Sequence, residues 1–417
     1  ELTGSLPSSY SVPHPLPKTL HGLLNDRATH LGDRRAYTFE GTKGDQVVSV
    51  AQLNLRARAI AARLQGRVQV GDRVLLMFPA GLDFIASFFG CLYAGVLAVP
   101  TTYPKPRRPN PRLTSIARDC GAVAALTDHD TLNTIDQSIR ASDLPEMQWL
   151  AVDDVEDTAA AEFQPHDVAT DDIAFLQYTS GSTSDPKGVM VSHGNLVHNL
   201  EMIRQGFALK HYSAGEAYDT GVFWLPAYHD MGLIGGILES LYVGGHSVLM
   251  SPAAFLQRPF GWLEAMSAHR ATITGAPNFA YELCLERSTP EQRASLDLSN
   301  WKLAFCGAEP IRPDTIERFV KTFEPCGFSA DSFYPCYGLA EGTLLAAGGD
   351  GPGPLKTVTV IRESIEQHRV ERLEGAGAQD AGAQTFVTCG SAKMDQRLIV
   401  VTPETFAQCA ADEVGEI

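Results

Sequence analysis

Short apolar runs alternate with longer amphipathic stretches along most of the chain, as strands alternate with helices in α/β proteins. The clearest unit is a buried strand, helix and strand at Val74–Phe78, Leu82–Tyr93 and Val96–Val99, and the pattern at Val50–Gln65 predicts a further helix. We therefore predict an α/β fold in which mixed or parallel sheets are flanked by helices. Further strands are predicted at 123–127, 173–176, 189–191, 222–225, 247–250, 272–274 and 302–305, and further helices at 260–269 and 313–323.

Two segments interrupt this alternation. The segment PKPRRPNP at 104–111 is too rich in proline for a helix or a central strand. Residues 350–385 have glycine-rich ends around a more regular centre, TVTVIRESIEQHRVERL, and are interpreted as an insertion. The remainder divides into sub-units at about 1–170, 171–347 and 386–417, and the last is a small β-rich part in which a strand begins at 413–417.

Composition narrows the possible partners. The 417 residues carry 33 basic and 49 acidic side chains, and the formal charge of -16 has the wrong sign for binding nucleic acid or coating an anionic membrane. No apolar run reaches the length of a membrane span, and the first 30 residues lack the pattern of a signal peptide. The eight cysteines lack zinc-site spacing, so we expect reduced thiols in a cytoplasmic protein.

The segment YTSGSTSDPKG at 178–188 lies between two apolar runs and combines hydroxyl side chains, glycines and a lysine. Glycines let backbone N–H groups approach phosphate oxygens, hydroxyls donate further hydrogen bonds and the lysine adds a positive charge. The segment differs from a Walker loop, because Lys187 precedes Gly188 and a strand follows. A generic Ser/Gly-rich turn is usually a solvated loop, but these groups would let an acidic protein bind a polyphosphate.

This segment resembles the signature loop of the adenylate-forming superfamily, which contains acyl-CoA synthetases, luciferases and the adenylation domains of peptide synthetases. The segment WLPAYHDMGLIGG at 224–236 most closely resembles the fatty acyl-AMP ligase branch, and the resemblance makes His229 the active-site histidine. The alternative interpretation is a His–Asp pair that caps a buried helix. GAPNF at 275–279 is similar to the acyl-pocket segment of the family, and GAEP at 307–310 to its adenine-contacting turn.

A last motif, YGLAE at 337–341, resembles the one in which the tyrosine stacks on adenine and the glutamate binds Mg²⁺, a hard ion that prefers oxygen ligands. Many members of the superfamily have a threonine just before this glutamate to contact the α-phosphate. This chain has Ala340 there, so we expect Thr343 to supply the hydroxyl.

The resemblance implies a site for nucleotide, metal and acyl chain. Its catalytic residues are Lys187, His229 and Glu341, and Glu341 is the metal ligand. The implied cofactor-binding residues are Thr179, Ser180, Gly181, Ser182, Thr183, Lys187, Gly307, Ala308, Glu309, Tyr337, Gly338, Leu339, Ala340, Glu341 and Thr343. The implied acyl-binding residues are Trp224, His229, Met231, Gly232, Gly275, Ala276, Pro277, Asn278 and Phe279, with Tyr281 as a further candidate wall of the acyl tunnel.

The implied reaction is the activation of a fatty acid by ATP and Mg²⁺ to an acyl adenylate, with release of pyrophosphate. The acyl group would then pass to the phosphopantetheine thiol of an acyl carrier protein. In the family that this chain resembles, an insertion after the YGLAE motif separates such ligases from acyl-CoA synthetases, and the extra material near 350–385 lies where that insertion belongs. An acyl-CoA synthetase and a non-catalytic module that holds ATP or acyl adenylate remain alternatives, and the insertion could be a surface loop without function.

Residues 1–417 together resemble the large N-terminal domain of these enzymes. The resemblance implies that a small C-terminal domain with the catalytic lysine follows, so we expect this chain to bind nucleotide and acyl chain but to adenylate slowly. Arg107, Arg108 and Arg112 are candidates for docking an acidic carrier protein, although a charged loop is more often only solvated.

Overall fold

The computed structural model describes residues 16–42, 44–103, 110–138, 144–179, 186–373 and 382–417. The chain folds as two compact units. Unit 1 comprises residues 1–204 and 209–253, and unit 2 comprises residues 205–208 and 254–417.

Unit 1 alternates strands with helices, as the hydrophobic pattern predicts. Its strands are β1 (Arg35–Phe39), β2 (Gln46–Ser49), β3 (Arg73–Leu76), β4 (Leu97–Pro100), β5 (Ala124–Thr127), β6 (Gln148–Ala151), β7 (Ile173–Thr179), β8 (Lys187–Ser192), β9 (Thr220–Phe223) and β10 (His246–Leu249). Its α-helices are α1 (Leu20–Leu31), α2 (Val50–Gln65), α3 (Leu82–Ala94), α4 (Pro111–Asp119), α5 (His129–Ser138), α6 (His193–Gly206) and α7 (Glu239–Val243). A π-helix, Met231–Leu238, leads directly into α7.

Six strands of unit 1 form one sheet in the order β6-β5-β3-β4-β7-β8. All neighbours are parallel except β7 and β8, which pair antiparallel. The central strand β3 is fully buried at Val74, Leu75 and Leu76, as expected for a parallel strand covered on both faces. In the same unit β10 pairs parallel with β9 and β1, and β2 pairs antiparallel with β1.

The helices of unit 1 have local reasons to begin and to pack where they do. The Ser49 hydroxyl accepts from the Gln52 backbone N–H at 3.2 Å and the Gln52 side chain accepts from the Ser49 N–H at 2.9 Å, so a capping box starts α2. Helix α3 packs closely on α2, because a Cβ at Gly90 would lie 2.7 Å from the Ile60 side chain. Within the described residues, no helix has both the length and the apolar character that crossing a membrane requires.

Unit 2 contains a short parallel sheet and two hairpins. Helix α8 (Pro252–Gln257) spans the division, and the helices α9 (Phe260–Ala268), α10 (Asn278–Glu286), α11 (Pro290–Arg293), α12 (Pro313–Phe323) and α13 (Arg362–Glu366) follow it. The strands are β11 (Ile273–Ala276), β12 (Leu303–Cys306), β13 (Phe333–Pro335), β14 (Tyr337–Gly338), β15 (Leu345–Ala347), β16 (Thr357–Ile361) and β17 (Ala383–Val387). Strand β12 pairs parallel with β11 and β13, while β14 with β15 and β16 with β17 are antiparallel.

An aromatic cluster forms the core of unit 2. The rings of Trp262, Tyr281, Trp301 and Phe319 are fully buried and meet mostly edge to face, at centroid distances of 5.1 to 6.1 Å. Such pairs add about 1 kcal/mol each beyond the burial of their apolar area. Tyr281, predicted as a wall of the acyl tunnel, is therefore a core residue, and its hydroxyl donates to the Phe305 carbonyl at 2.9 Å.

Two expectations about segmentation differ from the structure. The units divide near residue 253 rather than near residue 170, because β7 pairs with β4 and so joins the first sheet. No continuous strand is seen over 413–417, which lies within the described residues: Glu413 and Glu416 form only single bridges, and Gly415 passes so close to Val401 that a Cβ would lie 2.4 Å from its carbonyl oxygen. The regular centre of the 350–385 segment folds as β16 and α13.

Candidate functional site

The predicted phosphate turn connects two antiparallel strands of unit 1. Strand β7 ends at Thr179 and β8 begins at Lys187, and these two residues are paired across the ladder. The Lys187 side chain is exposed, so its ammonium group is available to an anion from solvent. The predicted residues Ser180, Gly181, Ser182 and Thr183 lie outside the described residues.

The strand end that carries Thr179 is fixed by its neighbour Tyr178. The Tyr178 hydroxyl makes a short hydrogen bond to the Asp119 carboxylate, and burial raises the pKa of this tyrosine. A Cβ at Gly188 would lie 2.9 Å from Cζ of the Tyr178 ring, so glycine lets the second strand pass over the ring. The turn therefore starts and ends on a rigid support.

Two further hydrogen bonds connect β7 with its surroundings. The Arg112 guanidinium lies 3.5 Å from the Tyr178 carbonyl oxygen, a long contact from the start of α4. The Gln177 side-chain amide donates to the Tyr228 carbonyl at 3.0 Å. The second bond places the residue before His229 beside the strand that leads to the phosphate turn. Arg107 and Arg108 lie outside the described residues.

His229 forms a close pair with the next residue. Its Nδ1 lies 2.7 Å from Oδ1 of Asp230, whose side chain is only 12% exposed, whereas the histidine side chain is 54% exposed. The hydrogen bond to Asp230 raises the pKa of His229 despite the opposing effect of partial burial. The raised pKa favours the protonated, cationic imidazole, which suits a site for anions.

The alternative interpretation, a His–Asp pair that caps a buried helix, is correct for Asp230. Its carboxylate accepts from the Met231 N–H at 2.6 Å, at the start of the entirely buried π-helix. Capping and function are compatible, because His229 stays accessible. The predicted acyl-site residues Trp224 and Met231 are buried, and a Cβ at Gly232 would lie 2.2 Å from the Pro226 carbonyl oxygen.

In unit 2, three predicted segments follow the carboxyl ends of three adjacent parallel strands. Residues 277–279 follow β11, residues 307–309 follow β12 and residues 337–341 follow β13 after one residue. The carboxyl ends of parallel strands meet at one edge of a sheet, which is where open α/β sheets bind ligands. The structure brings the first two segments together, because the Phe279 N–H donates to the Glu309 carboxylate at 2.6 Å.

Close packing fixes the backbone of these segments. A Cβ at Gly275 would lie 2.1 Å from the Phe305 ring, so only glycine fits there. Asn278 is buried, and its side-chain Oδ1 accepts from the Arg312 backbone N–H at 3.0 Å. Ala308 has φ +66°, a left-handed conformation that is uncommon outside glycine and marks a sharply turned backbone at the predicted adenine contact.

The YGLAE segment and the residues that follow it form a small hairpin. Strands β14 and β15 pair, and Glu341 lies in the 3₁₀ turn between them with an exposed side chain. Thr343 has φ 74° and ψ -62°, a strained conformation for a β-branched residue that often marks a functional position. Tyr337 is 38% exposed, as a ring that stacks on a ligand requires. Of the other predicted residues, Gly338 ends β14, Leu339 follows it and Ala340 begins the 3₁₀ turn.

Three residues that hold parts of this site in place were not among those predicted from the sequence. Asp119 holds Tyr178, Gln177 holds the Tyr228 carbonyl, and Asp230 holds His229. Only Asp230 had a signal in the sequence, because it is adjacent to the histidine. The other two meet their partners through sheet and helix packing across 59 and 51 residues of sequence, a distance no local pattern reveals.

Comparison with known proteins fits this arrangement. The chain matches the family of AMP-binding enzymes over residues 24–417. It is 41% identical over 406 residues to the medium-chain-fatty-acid–[acyl-carrier-protein] ligase JamA of Moorena producens, covering 96% of this chain and 67% of that protein. A ligase of the same description from Teredinibacter turnerae is 34% identical, again over 96% of this chain and 67% of the relative.

A solved structure gives the same result in three dimensions. The fatty acyl-adenylate ligase of L. pneumophila, crystallised with acyl adenylate and pyrophosphate, superimposes with a TM-score of 0.88 at 39% identity, covering 96% of this chain and 68% of that one. Its fold agrees with the predicted α/β arrangement of sheets flanked by helices. The sequence match and the structural match together show that the chain belongs to the family of AMP-binding, adenylate-forming enzymes.

Proposed function

We propose that the chain is the adenylating part of a fatty acyl-AMP ligase, which activates a fatty acid with ATP for transfer to an acyl carrier protein. The observation that carries the proposal is the likeness, at 39% identity over 96% of the chain, to a ligase crystallised with acyl adenylate and pyrophosphate. The names of two relatives, medium-chain-fatty-acid–[acyl-carrier-protein] ligases, support the fatty acid substrate and the carrier as acceptor. All eight cysteines are free thiols, the state expected in a reducing compartment, and this supports a cytoplasmic protein.

The chemistry requires two anions to meet. A carboxylate oxygen of the fatty acid bonds to the α-phosphorus of ATP while the bond from that phosphorus to the α,β-bridging oxygen breaks, and pyrophosphate leaves. Such a reaction depends mainly on positioning and on neutralising charge. We assign the phosphates to Thr179 and Lys187 and a charge-stabilising role to His229, whose raised pKa favours its cationic form.

The implied metal ion is Mg²⁺, and Glu341 fits as its protein ligand. An exposed carboxylate at a hairpin turn suits this ion, which is commonly held by one or two carboxylates together with substrate phosphates. Within the described residues, no group of three or more His, Cys, Asp or Glu side chains could hold a metal ion alone, so the phosphates would complete the coordination. When bound, the ion would neutralise phosphate charge.

Thr343 and the 350–385 segment complete the proposal. Ala340 has no hydroxyl, and we assign the contact with the α-phosphate to Thr343, whose strained backbone requires a local purpose. The segment with β16, α13 and β17 we assign to acceptor choice, in favour of a carrier protein over coenzyme A.

Mass spectrometry of two samples tests the function. This chain, and a form extended to the natural carboxyl terminus of the gene product, are incubated with ATP, Mg²⁺ and fatty acids of about 8 to 18 carbons. Either coenzyme A or a phosphopantetheinylated carrier is then added. We expect acyl-AMP and acyl-carrier with little acyl-CoA, and slower turnover by this chain than by a longer form. Acyl-CoA as the main product would instead place the protein among acyl-CoA synthetases.

A further inference from the structure

We propose that Asp230 is a positioning residue for His229, because it holds the Nδ1–H of the imidazole and leaves Nε2 as the nitrogen that faces the reactants. The inference rests on the proposed function, and its geometry lies within unit 1. One carboxylate oxygen of Asp230 lies 2.7 Å from Nδ1 of His229 and 2.6 Å from the backbone nitrogen of Met231.

The distance between Nδ1 and the carboxylate oxygen favours a proton on Nδ1. An unprotonated Nδ1 would point a lone pair at a carboxylate oxygen 2.7 Å away, which is repulsive, whereas a protonated Nδ1 donates a charge-assisted hydrogen bond. The Met231 N–H also lies within hydrogen-bond range of Nδ1, at 3.3 Å. That bond would need an unprotonated Nδ1, and it competes with the shorter bond from the same N–H to Asp230 at 2.6 Å. We therefore place the proton of the neutral imidazole on Nδ1, so that Nε2 can accept a proton, or donate one when protonated.

The backbone around this pair is held on both sides. The His229 N–H donates to the Pro226 carbonyl at 3.0 Å, and the His229 carbonyl accepts from the Leu233 N–H at 2.9 Å. The close approach of Gly232 to Pro226 makes the turn tight. The ring is thus attached to a rigid backbone, and its remaining freedom is rotation of the side chain. The bond to Asp230 removes that freedom.

Asp230 is also placed to act electrostatically. It is the group whose hydrogen bond and charge raise the pKa of His229. The neighbouring residue Tyr228 has a raised pKa through burial and the nearby Tyr103, while Arg112 acts in the opposite direction on that phenol. A carboxylate that is only 12% exposed interacts with its partner more strongly than a solvated one does.

Unit 1 contains a second His–Asp pair that serves as a matched control. Nε2 of His129 lies 2.8 Å from Asp154, and the two side chains are 50% and 66% exposed. The histidine exposure is close to that of His229, but Asp154 is solvated and binds the opposite ring nitrogen. If burial of Asp230 is what positions His229, removing the carboxylate must matter more at Asp230 than at Asp154.

The test compares the wild-type chain with D230N and D154N, using histidine labelled with ¹³C and ¹⁵N and assigned through H229Q and H129Q. Asn is nearly isosteric and still accepts from the Met231 N–H, so D230N removes the charge and keeps the helix cap. In wild type we expect the Nδ1–H tautomer and a pKa above the ordinary value for His229. D230N should lower that pKa by about one unit and increase the Nε2–H tautomer.

In a form that makes acyl-AMP, D230N should lower kcat by about tenfold and change KM for ATP little, because it alters the state of a positioned group rather than a contact with nucleotide. D154N should change kcat by less than about twofold. An unchanged tautomer and pKa of His229 in D230N would overturn the inference. The NMR result is independent of turnover, so a protein without adenylating activity would refute the proposed function and leave the positioning role measurable.

Discussion

Two histidines of unit 1 have pKa values that are shifted in opposite directions. His229 is half exposed and bonded to Asp230, and its pKa is raised. His193 is only 2% exposed, and burial together with the nearby His21 lowers its pKa to about 4. The rings of His21 and His193 meet edge to face at 5.5 Å, and burial lowers the pKa of His21 to about 4 as well.

The difference comes from the hydrogen-bond partner of each ring. Nδ1 of His193 accepts from the Leu20 N–H at 3.2 Å, a bond that requires a neutral nitrogen. Asp172 raises the pKa of His193 to a smaller extent than burial and His21 lower it. A histidine paired with a carboxylate is stabilised in its charged form. A buried histidine that accepts a hydrogen bond and lies beside other histidines is stabilised in its neutral form.

The largest expected effect is the loss of His229. H229A should lower kcat/KM for adenylation by about 10² or more, the usual contribution of a positioned charged or proton-transferring group, with stability changed by less than about 0.5 kcal/mol at this exposed position. The measurement is pyrophosphate release with matched thermal unfolding scans. H129A, at a histidine of similar exposure, is the control and should keep full activity. Equal losses in both variants would remove the distinction between these two histidines.

The buried residue His193 should instead make the free energy of unfolding depend on pH in the acid range. Because the folded pKa of His193 is about 4 and the unfolded value is 6.5, its neutral form stabilises the fold above about pH 6.5, and this contribution is lost as pH falls towards 4. A shift of this size corresponds to at most about 3 kcal/mol. H193N keeps an acceptor for the Leu20 N–H but cannot be protonated.

Urea unfolding midpoints from pH 7.5 to pH 4.5 measure this effect. H193N should be less stable than wild type at pH 7.5 by about 1 kcal/mol through lost packing, and its midpoint should fall less steeply between pH 6.5 and 4.5. His21, whose pKa is also lowered, remains in the variant, so part of the slope persists. Parallel curves for the two proteins would mean that His193 does not titrate in this range.

Much of the scaffold could be predicted because periodicity is local. The helices α2 and α12 begin and end as predicted, and β3, β5, β9, β10, β11 and β12 lie within about two residues of their predicted bounds. A strand buried on both faces is apolar throughout, and a helix shows its apolar stripe every three to four residues. Lys187, predicted before the strand, is its first residue.

The features that could not be predicted from the sequence depend on tertiary structure. Tyr281 follows the segment 275–279 that is similar to an acyl pocket, yet its ring is enclosed by Trp262 and Phe319, which are distant in sequence. The left-handed backbone of Thr343 is set by the turn between β14 and β15, and a β-branched residue gives no warning of it. The π-helix after Asp230 could not be predicted either, because its segment MGLIGGIL is apolar throughout and its glycines disfavour a helix.

The prediction with the smallest expected effect concerns Glu239. It tests whether the hydrogen-bond partner of a buried group decides if that group carries a charge. Glu239 follows the π-helix, is only 3% exposed, and within the described residues neither carboxyl oxygen has a hydrogen-bond partner. Burial and the nearby Glu201 raise its pKa well above the ordinary value. Arg204 is already bonded to Glu201 at 2.6 Å and 2.8 Å, and so compensates Glu239 only weakly.

Since the folded pKa of Glu239 lies above the unfolded one, the unfolded chain loses this proton first as pH rises. The native state is therefore penalised from about pH 4.5 upward, until the folded group also ionises. E239Q keeps the shape of the side chain and removes the ionisation, so it should stabilise the fold at pH 8 by about 1 kcal/mol and have little effect at pH 4.5. E201Q is the control, and it should be destabilising at pH 8 because it deprives Arg204 and the Tyr242 hydroxyl of a charged partner. If E239Q stabilised the fold equally at both pH values, the effect of the substitution would come from packing rather than from charge. Burial without a hydrogen-bond partner would then not determine the protonation state of Glu239.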